Sequence, residues 1–217
     1  MSAEARLREQ ICALGASLFG RGLICGASGN LSARLPDGGL LVTPTGASLG
    51  RLDPARLSRL DRHGRLLDGD APTKEMALHA AFYETRGDKA GAVAHLHSTH
   101  AVAWSMLPGT DPDWLLPPLT AYSVMRLGRV RLLPYFRPGD PAMGEAVRSL
   151  AGRRSAVVLA NHGPVVAGAD LEAAVNAIEE LEETARLALL TRSTGAVGLN
   201  EAQIRDLVAT FGLEWDA

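Results

Sequence analysis

The sequence predicts an α/β domain in which a mixed or mainly antiparallel sheet is covered by helices. Segments with helical spacing of apolar residues alternate with short strand-like segments along the whole chain. Two pairs of these strand-like segments are joined by tight turns, which are typical of antiparallel hairpins and argue against a purely parallel sheet. With 217 residues, of which 47% are hydrophobic, the chain has the size of a single domain spanning residues 1–217.

The first part of the chain predicts one helix followed by two hairpins. Apolar residues recur at helical spacing within residues 3–19, which indicates an amphipathic helix. After a glycine-rich stretch, the turn PDGG joins the strand-like segments NLSARL and LLVTP. The segment LSRLDRHGRLL predicts a second pair of short strands that turns at His63 and Gly64.

Helices and strands then alternate to the end of the long C-terminal helix. Thr73 is predicted to cap a helix with Lys74 and Glu75 in its first turn, and Ser98 to cap the helix after the strand GAVAHLH. The strands VRLLPY, SAVVLA and PVVAG follow, with a helix over residues 141–150 between the first two. The longest helix is predicted to begin after Asp170, and four glutamates are assigned to its outer face: Glu179, Glu180, Glu182 and Glu183.

Composition excludes several classes of function. A net charge of −2 and a pI near 6.3 provide no basic field for nucleic acid. No apolar run approaches the roughly 20 residues that span a bilayer. Cys12 and Cys25 form no CxxC pair, and the N-terminus lacks a basic and apolar leader. We therefore expect a cytoplasmic protein without nucleic-acid or membrane partners.

Histidines at two strand ends are the first candidates for a metal site. His95 and His97 alternate in AHLHSTH and so share one face of the predicted strand end. His162, in NHG, follows another apolar strand. Three imidazoles with an open fourth position are typical of catalytic zinc. Taken separately, the pair is also compatible with exposed histidines, and NHG with a simple turn.

Other polar residues suit the chemistry of an anionic substrate. Glu75, at a helix start, could ligate a metal or move protons. Backbone N–H groups and polar side chains at three turns suit a phosphate, although each is also ordinary turn chemistry. These candidate phosphate-binding residues are Asn30, Thr45, Gly46, Thr73 and Lys74.

The combination GNLSAR, TPTG, PTKE, GAVAHLHSTHAVA and ANHGPVVAG, spread over residues 29–168, resembles the class II aldolase and adducin family. The resemblance implies a three-layer α/β/α fold with a central, predominantly antiparallel sheet. By analogy with fuculose phosphate aldolase, it implies zinc on His95, His97 and His162 and an acid or base at Glu75. The residues that would hold the phosphate are Asn30, Thr45, Gly46, Thr73 and Lys74. A homotetramer with active sites at its interfaces is also implied.

Lys74 departs from the aldolase pattern, which usually has two serines before the glutamate. Its charge favours a substrate with a carboxylate in addition to the phosphate. PTKE, HLHSTHAVA, LPPLTAYSVMR and LPYFRPGDP together resemble the 3-oxo-tetronate 4-phosphate decarboxylase branch. The implied reaction yields dihydroxyacetone phosphate and CO2 through a metal-stabilised enediolate that Glu75 protonates. Lys74 would orient the carboxylate or bind the phosphate.

Several alternatives stay open. A fuculose-phosphate type aldolase or a ribulose-phosphate 4-epimerase would use the same groups, and an adducin-like interaction module would keep the fold without the chemistry. Zn²⁺ is favoured over Mn²⁺ or Co²⁺ by ligand type and resemblance alone. The sequence does not distinguish D-erythro from L-threo substrates, nor decide whether His100 or Tyr122 contacts substrate.

Overall fold

The computed structural model describes residues 2–215. Within them the chain forms seven α-helices and eight strands, together with three short 3-10 turns. In chain order these elements are α1 (Ala3–Gly20), β1 (Asn30–Arg34), β2 (Leu40–Val42), β3 (Ser58–Leu60), β4 (Leu66–Asp68), α2 (Met76–Arg86), β5 (Ala92–His95), α3 (Thr99–Ser105), α4 (Ala121–Leu127), β6 (Arg131–Leu133), α5 (Ala142–Arg148), β7 (Ala156–Leu159), β8 (Gly163–Gly168), α6 (Leu171–Thr191) and α7 (Glu201–Phe211).

All eight strands form one sheet in the order β4-β3-β2-β1-β5-β8-β7-β6. The pair β6 and β7 is parallel, and the other neighbouring pairs are antiparallel. The predicted α/β class with a mainly antiparallel sheet is therefore confirmed, and both predicted hairpins are present. In the second hairpin, the Asp61 carboxylate accepts hydrogen bonds from the backbone N–H groups of His63 and Arg65, which stabilises the turn.

Helices cover both faces of the sheet, because buried apolar residues alternate along its central strands. On one face, Phe82 of α2 is fully buried in a cluster with Val93 and α5. On the other face, Ala92 and Ala94 belong to a cluster with α1, α3, α4 and α6. Truncating a fully buried phenylalanine such as Phe82 to alanine costs about 3 to 5 kcal/mol. This packing sets the distance between α2 and the sheet.

Two predicted helix starts differ from the structure. Ser98 precedes α3, but its hydroxyl makes no capping bond; instead Glu182 of α6 accepts from the backbone N–H groups of His100 and Ala101 at 2.8 and 2.9 Å. Glu182 is buried, so its assignment to the outer face of α6 is wrong. Thr73 does not cap α2 directly, since the helix begins at Met76.

Asp170 caps α6 as predicted, through a 2.8 Å hydrogen bond from the backbone N–H of Ala173 to its carboxylate. Among the described residues, the helices are too short or too polar to cross a membrane.

Candidate metal centre

Three neighbouring strands bring the predicted site together at one end of the sheet. Asn30, the first residue of β1, pairs with His95, the last residue of β5, because the two strands are antiparallel. His95 also pairs with Val165 of β8, and His162 lies immediately before that strand. Residues 65 positions apart, His97 and His162, therefore meet: their Nε2 atoms are 3.1 Å apart.

The hydrogen bonds of His95 define which of its nitrogens faces the cluster. Its Nδ1 lies 2.9 Å from the carbonyl oxygen of Pro164, which can only accept, so Nδ1 carries the proton. Nε2 is left with a free lone pair and lies 3.1 Å from Nε2 of His97. Burial, followed by the neighbouring His95 and His162, lowers the pKa of His97 to about 4, so this ring is neutral at neutral pH.

These donors fit a divalent cation. Ligand atoms of His95, His97, His162 and Glu75 all lie within 4.8 Å of one another. Nitrogens that bind zinc tetrahedrally at 2.0 to 2.1 Å are separated by about 3.3 Å, close to the 3.1 Å observed. Neutral imidazole lone pairs that point at each other repel, and a shared cation converts that repulsion into attraction.

Glu75 is the acidic member of the cluster and is only 6% exposed. Its Oε2 accepts a 2.8 Å hydrogen bond from Nδ2 of Asn30 and lies 3.3 Å from Nε2 of His95, while Oε1 lies 3.3 Å from Nε2 of His162. Burial favours the protonated acid, but the contacts with His162, His95 and Asn30 outweigh it and hold the pKa of Glu75 well below its usual range. Glu75 is thus ionised in the resting site.

The NHG loop places His162 through two backbone features. Asn161 adopts a left-handed conformation with φ of 57°, and its N–H donates to the Ser105 hydroxyl at 3.1 Å. At Gly163 the backbone passes so close to Leu96 that a Cβ would lie 2.1 Å from its carbonyl oxygen. A glycine is therefore required directly after His162.

The candidate phosphate residues divide into two groups. Asn30 and Thr73 are buried beside Glu75, and the Thr73 hydroxyl accepts a 3.3 Å hydrogen bond from the Glu75 N–H. Thr45 and Gly46 are exposed and line a neighbouring cavity of about 220 Å³.

A bridge between Pro44 and Pro72 joins the TPTG and PTKE segments, so the two groups lie side by side. Lys74 is exposed. Arg51 and Arg56 line the same cavity as Thr45, together with Asp53 and Asp70, and Arg56 is paired with Asp70 at 2.6 Å.

Three buried polar residues, His79, Ser32 and Tyr83, lie behind the site. His79 is four residues after Glu75, a spacing that predicts packing or support of the site, and it contacts Asn30. Ser32 lies between His79 and Tyr83, and no role was predicted for either of these two. Two spacings could have indicated them. Asn30 and Ser32 are two apart on one strand, and Glu75, His79 and Tyr83 are four apart on one helix.

His100 and Tyr122 lie elsewhere. They line a charged cavity of about 600 Å³ among the end of α1, α4 and α6, and none of the four candidate metal-site residues contributes to its lining.

Comparison with known families agrees with this geometry. Residues 9–189 match the model of the Class II Aldolase and Adducin N-terminal domain. The chain belongs to the class II aldolase and adducin family. The predicted family is therefore confirmed.

Relatives within the class II aldolase and adducin family include enzymes of two kinds. The 3-oxo-tetronate 4-phosphate decarboxylase of Escherichia coli O6:H1 is 46% identical over 94% of this chain and 96% of its own length. The L-fuculose phosphate aldolase of Methanococcus maripaludis is 34% identical over 82% of this chain and 92% of its own. The crystal structure of YgbL from Escherichia coli superimposes with a TM-score of 0.92 at 45% identity, covering 95% of this chain and 99% of that one.

Proposed function

We propose that this protein is a metal-dependent carboxy-lyase that converts a 3-oxo-tetronate 4-phosphate into dihydroxyacetone phosphate and CO2. The observation that carries the proposal is the convergence of three histidine nitrogens on one buried, ionised carboxylate. The 46% identity to a decarboxylase of that name, over nearly the full length of both chains, supplies the substrate class.

His95, His97 and His162 would hold the ion, which is zinc by donor type. When bound, it supplies positive charge that stabilises the negative charge developing on substrate oxygen as the carbon–carbon bond breaks. The Pro164 carbonyl fixes the His95 ring for this task by accepting its Nδ1 proton.

The reaction consumes one proton, and Glu75 is placed to deliver it. Breaking the bond between C1 and C2 releases CO2 and leaves the electron pair in an enediolate over C2 and C3. Protonation of C2 then gives dihydroxyacetone phosphate. Asn30 donates to Oε2 of Glu75, whereas Oε1 accepts no hydrogen bond from the described residues and has Nε2 of His162 as a contact at 3.3 Å. Oε1 is therefore the oxygen that takes up a solvent proton and passes it to C2.

The remaining residues bind the two anionic ends of the substrate. Thr45 and Gly46 present exposed backbone and hydroxyl groups suited to phosphate, with Thr73 and Asn30 at the inner end of the same region. Lys74 is exposed and directly precedes Glu75 in the chain, and its ammonium group would bind the carboxylate or the phosphate.

The test uses purified, zinc-loaded protein with each 3-oxo-tetronate 4-phosphate isomer in turn. We expect CO2 and dihydroxyacetone phosphate in equal amounts from one of the isomers, and loss of both products after chelation of the metal. Failure of both isomers to release CO2 would refute the proposal.

A sugar-phosphate aldolase is the second candidate, because a fuculose phosphate aldolase is 34% identical and the same groups stabilise an enediolate in either reaction. Incubation with L-fuculose 1-phosphate distinguishes the two functions. Dihydroxyacetone phosphate together with an aldehyde, and without CO2, would favour the aldolase.

We further propose that residues 1–217 form a single class II aldolase/adducin-like domain. The protein would be a cytoplasmic homotetramer whose active sites lie at subunit interfaces, with no nucleic-acid or membrane partner. The family resemblance supports the tetramer. The net charge of −2 supports the expectation that the protein does not bind nucleic acid. Light scattering of the purified protein measures the assembly: a mass near four times 22.9 kDa is expected, and a monomer would contradict it.

A further inference from the structure

A continuous row of buried polar side chains leads from Glu75 into the layer between β1 and α2. Asn30 donates to Glu75 at 2.8 Å, and its other amide atom, Oδ1, is hydrogen-bonded to Nε2 of His79. Nδ1 of His79 lies 2.7 Å from the Ser32 hydroxyl, which lies 2.8 Å from the hydroxyl of Tyr83. His79 and Ser32 are 0% exposed, and Tyr83 is 7% exposed.

The direction of every hydrogen bond in this row follows from its first member. The NH2 group of Asn30 donates to Oε2 of Glu75, so its carbonyl oxygen faces Nε2 of His79 and can only accept from it. His79 therefore carries its proton on Nε2, which leaves Nδ1 to accept from the Ser32 hydroxyl. The Ser32 oxygen in turn accepts from the hydroxyl of Tyr83.

This row of hydrogen bonds opposes rotation of the Asn30 amide by 180°. If the Asn30 amide turned over, its oxygen would face the carboxylate oxygen of Glu75, and its NH2 would face the proton on Nε2 of His79. Both contacts are repulsive. The Ser32 hydroxyl opposes this state, because its hydrogen bond to Nδ1 fixes the His79 ring with Nε2 facing the Asn30 carbonyl oxygen. Burial strengthens the constraint, since a polar group left unpaired here has no access to water.

We propose that Ser32 and His79 are positioning residues for Glu75: they keep the Asn30 amide donating to Oε2, so that Oε1 remains the oxygen that exchanges a proton with substrate. This inference rests on the proposed role of Glu75 as the proton carrier. It does not depend on whether the fragment that leaves the substrate is CO2 or an aldehyde.

Proton exchange at dihydroxyacetone phosphate isolates this step. In D2O, Glu75 should remove and replace a proton on the hydroxymethyl carbon of this compound, which NMR detects as deuterium uptake. In Ser32→Ala, kcat for exchange should fall about tenfold, the effect of one net hydrogen bond. KM should change less than about twofold, because Ser32 does not touch substrate.

Ser58→Ala is the matched control. Ser58 is likewise 0% exposed on a strand of the same sheet, and its hydroxyl donates to the carbonyl of Asp70 at 2.7 Å, away from Glu75. Exchange by this variant should equal that of the wild type. An equal loss in both variants, or no loss in Ser32→Ala, would overturn the inference.

A second pair of variants separates the hydroxyl from the shape of the side chain. Threonine and valine have the same shape, so Ser32→Thr and Ser32→Val disturb the packing equally, and only Thr retains the hydroxyl. We expect Ser32→Thr to exchange at least about tenfold faster than Ser32→Val. Equal rates would overturn the inference.

Nitrogen NMR of the zinc-loaded protein, labelled with ¹⁵N-imidazole histidine, tests the row without catalysis. His79, assigned by the loss of its signals in His79→Gln, should be protonated on Nε2 and not on Nδ1. The opposite tautomer would contradict the deduced bond directions and overturn the inference. If no CO2 is released but proton exchange falls in Ser32→Ala as expected, the decarboxylase assignment fails and the positioning role stands. If CO2 is released but proton exchange does not change in Ser32→Ala, the decarboxylase assignment stands and the positioning role fails.

Discussion

Gly163 tests whether the backbone of the NHG loop places His162 for metal binding. A Cβ built on Gly163 lies 2.1 Å from the Leu96 carbonyl oxygen and 3.1 Å from Cα of His97. Both are backbone atoms that cannot turn aside. To reach 3.0 Å from that oxygen, the start of β8 must move about 1 Å away from the end of β5, and His162 must move with it.

Gly163→Ala should therefore weaken both the fold and the metal site. We expect the free energy of unfolding to fall by about 1 to 3 kcal/mol, the cost of overpacking a tight site. Zinc affinity should fall about 10- to 100-fold, as when residues that orient a ligand are changed. Urea denaturation of the metal-free protein measures the first effect, and competition with a chelator measures the second.

Gly195→Ala is the control, because a Cβ at Gly195 meets no atom within 4 Å. It should unfold and bind zinc like the wild type. If Gly163→Ala behaved in the same way, the close approach of β8 to Leu96 would not determine where His162 lies.

Three further predictions concern the site. Glu75→Gln should lower turnover at least about 100-fold while leaving the protein folded, as checked by circular dichroism; unchanged turnover would remove its role. Lys74→Met should lower kcat/KM for a 3-oxo-tetronate 4-phosphate about 10- to 100-fold, whereas Lys74→Arg retains the charge and most of the activity; equal activity in both would exclude a charge role. Burial and His95 lower the pKa of His79 to about 3, from 6.5. Below pH 6.5, His79 binds a proton in the unfolded chain but stays neutral in the folded chain. The free energy of unfolding of the metal-free protein should therefore fall as the pH drops from 6.5 towards 3. Urea denaturation at a series of pH values measures how steeply the free energy of unfolding depends on pH. In His79→Gln, this slope should decrease by up to about 1.4 kcal/mol per pH unit, and an unchanged slope would contradict a neutral His79.

Local sequence patterns determined most of the secondary structure. The turns PDGG and DRHGR lie between antiparallel partners, and Asp170 caps α6, because hairpin turns and helix caps depend on neighbouring residues alone. The order of motifs from GNLSAR to ANHGPVVAG also indicated the family, which the comparison confirmed. The assignments of His95, His97, His162 and Glu75 as ligands and proton carrier stay predictions, although the structure brings these four side chains together.

Contacts between distant segments were decided only by the tertiary structure. Glu182 lies among Glu179, Glu180 and Glu183 on α6 and looks like a solvated residue in the sequence. It is nevertheless buried and caps α3 from 81 to 82 positions away. Ser32 and Tyr83 are likewise ordinary strand and helix residues until β1 packs against α2. A polar side chain in the interior is stable only where a partner meets it, and that partner is chosen by how the layers pack, which no local pattern records.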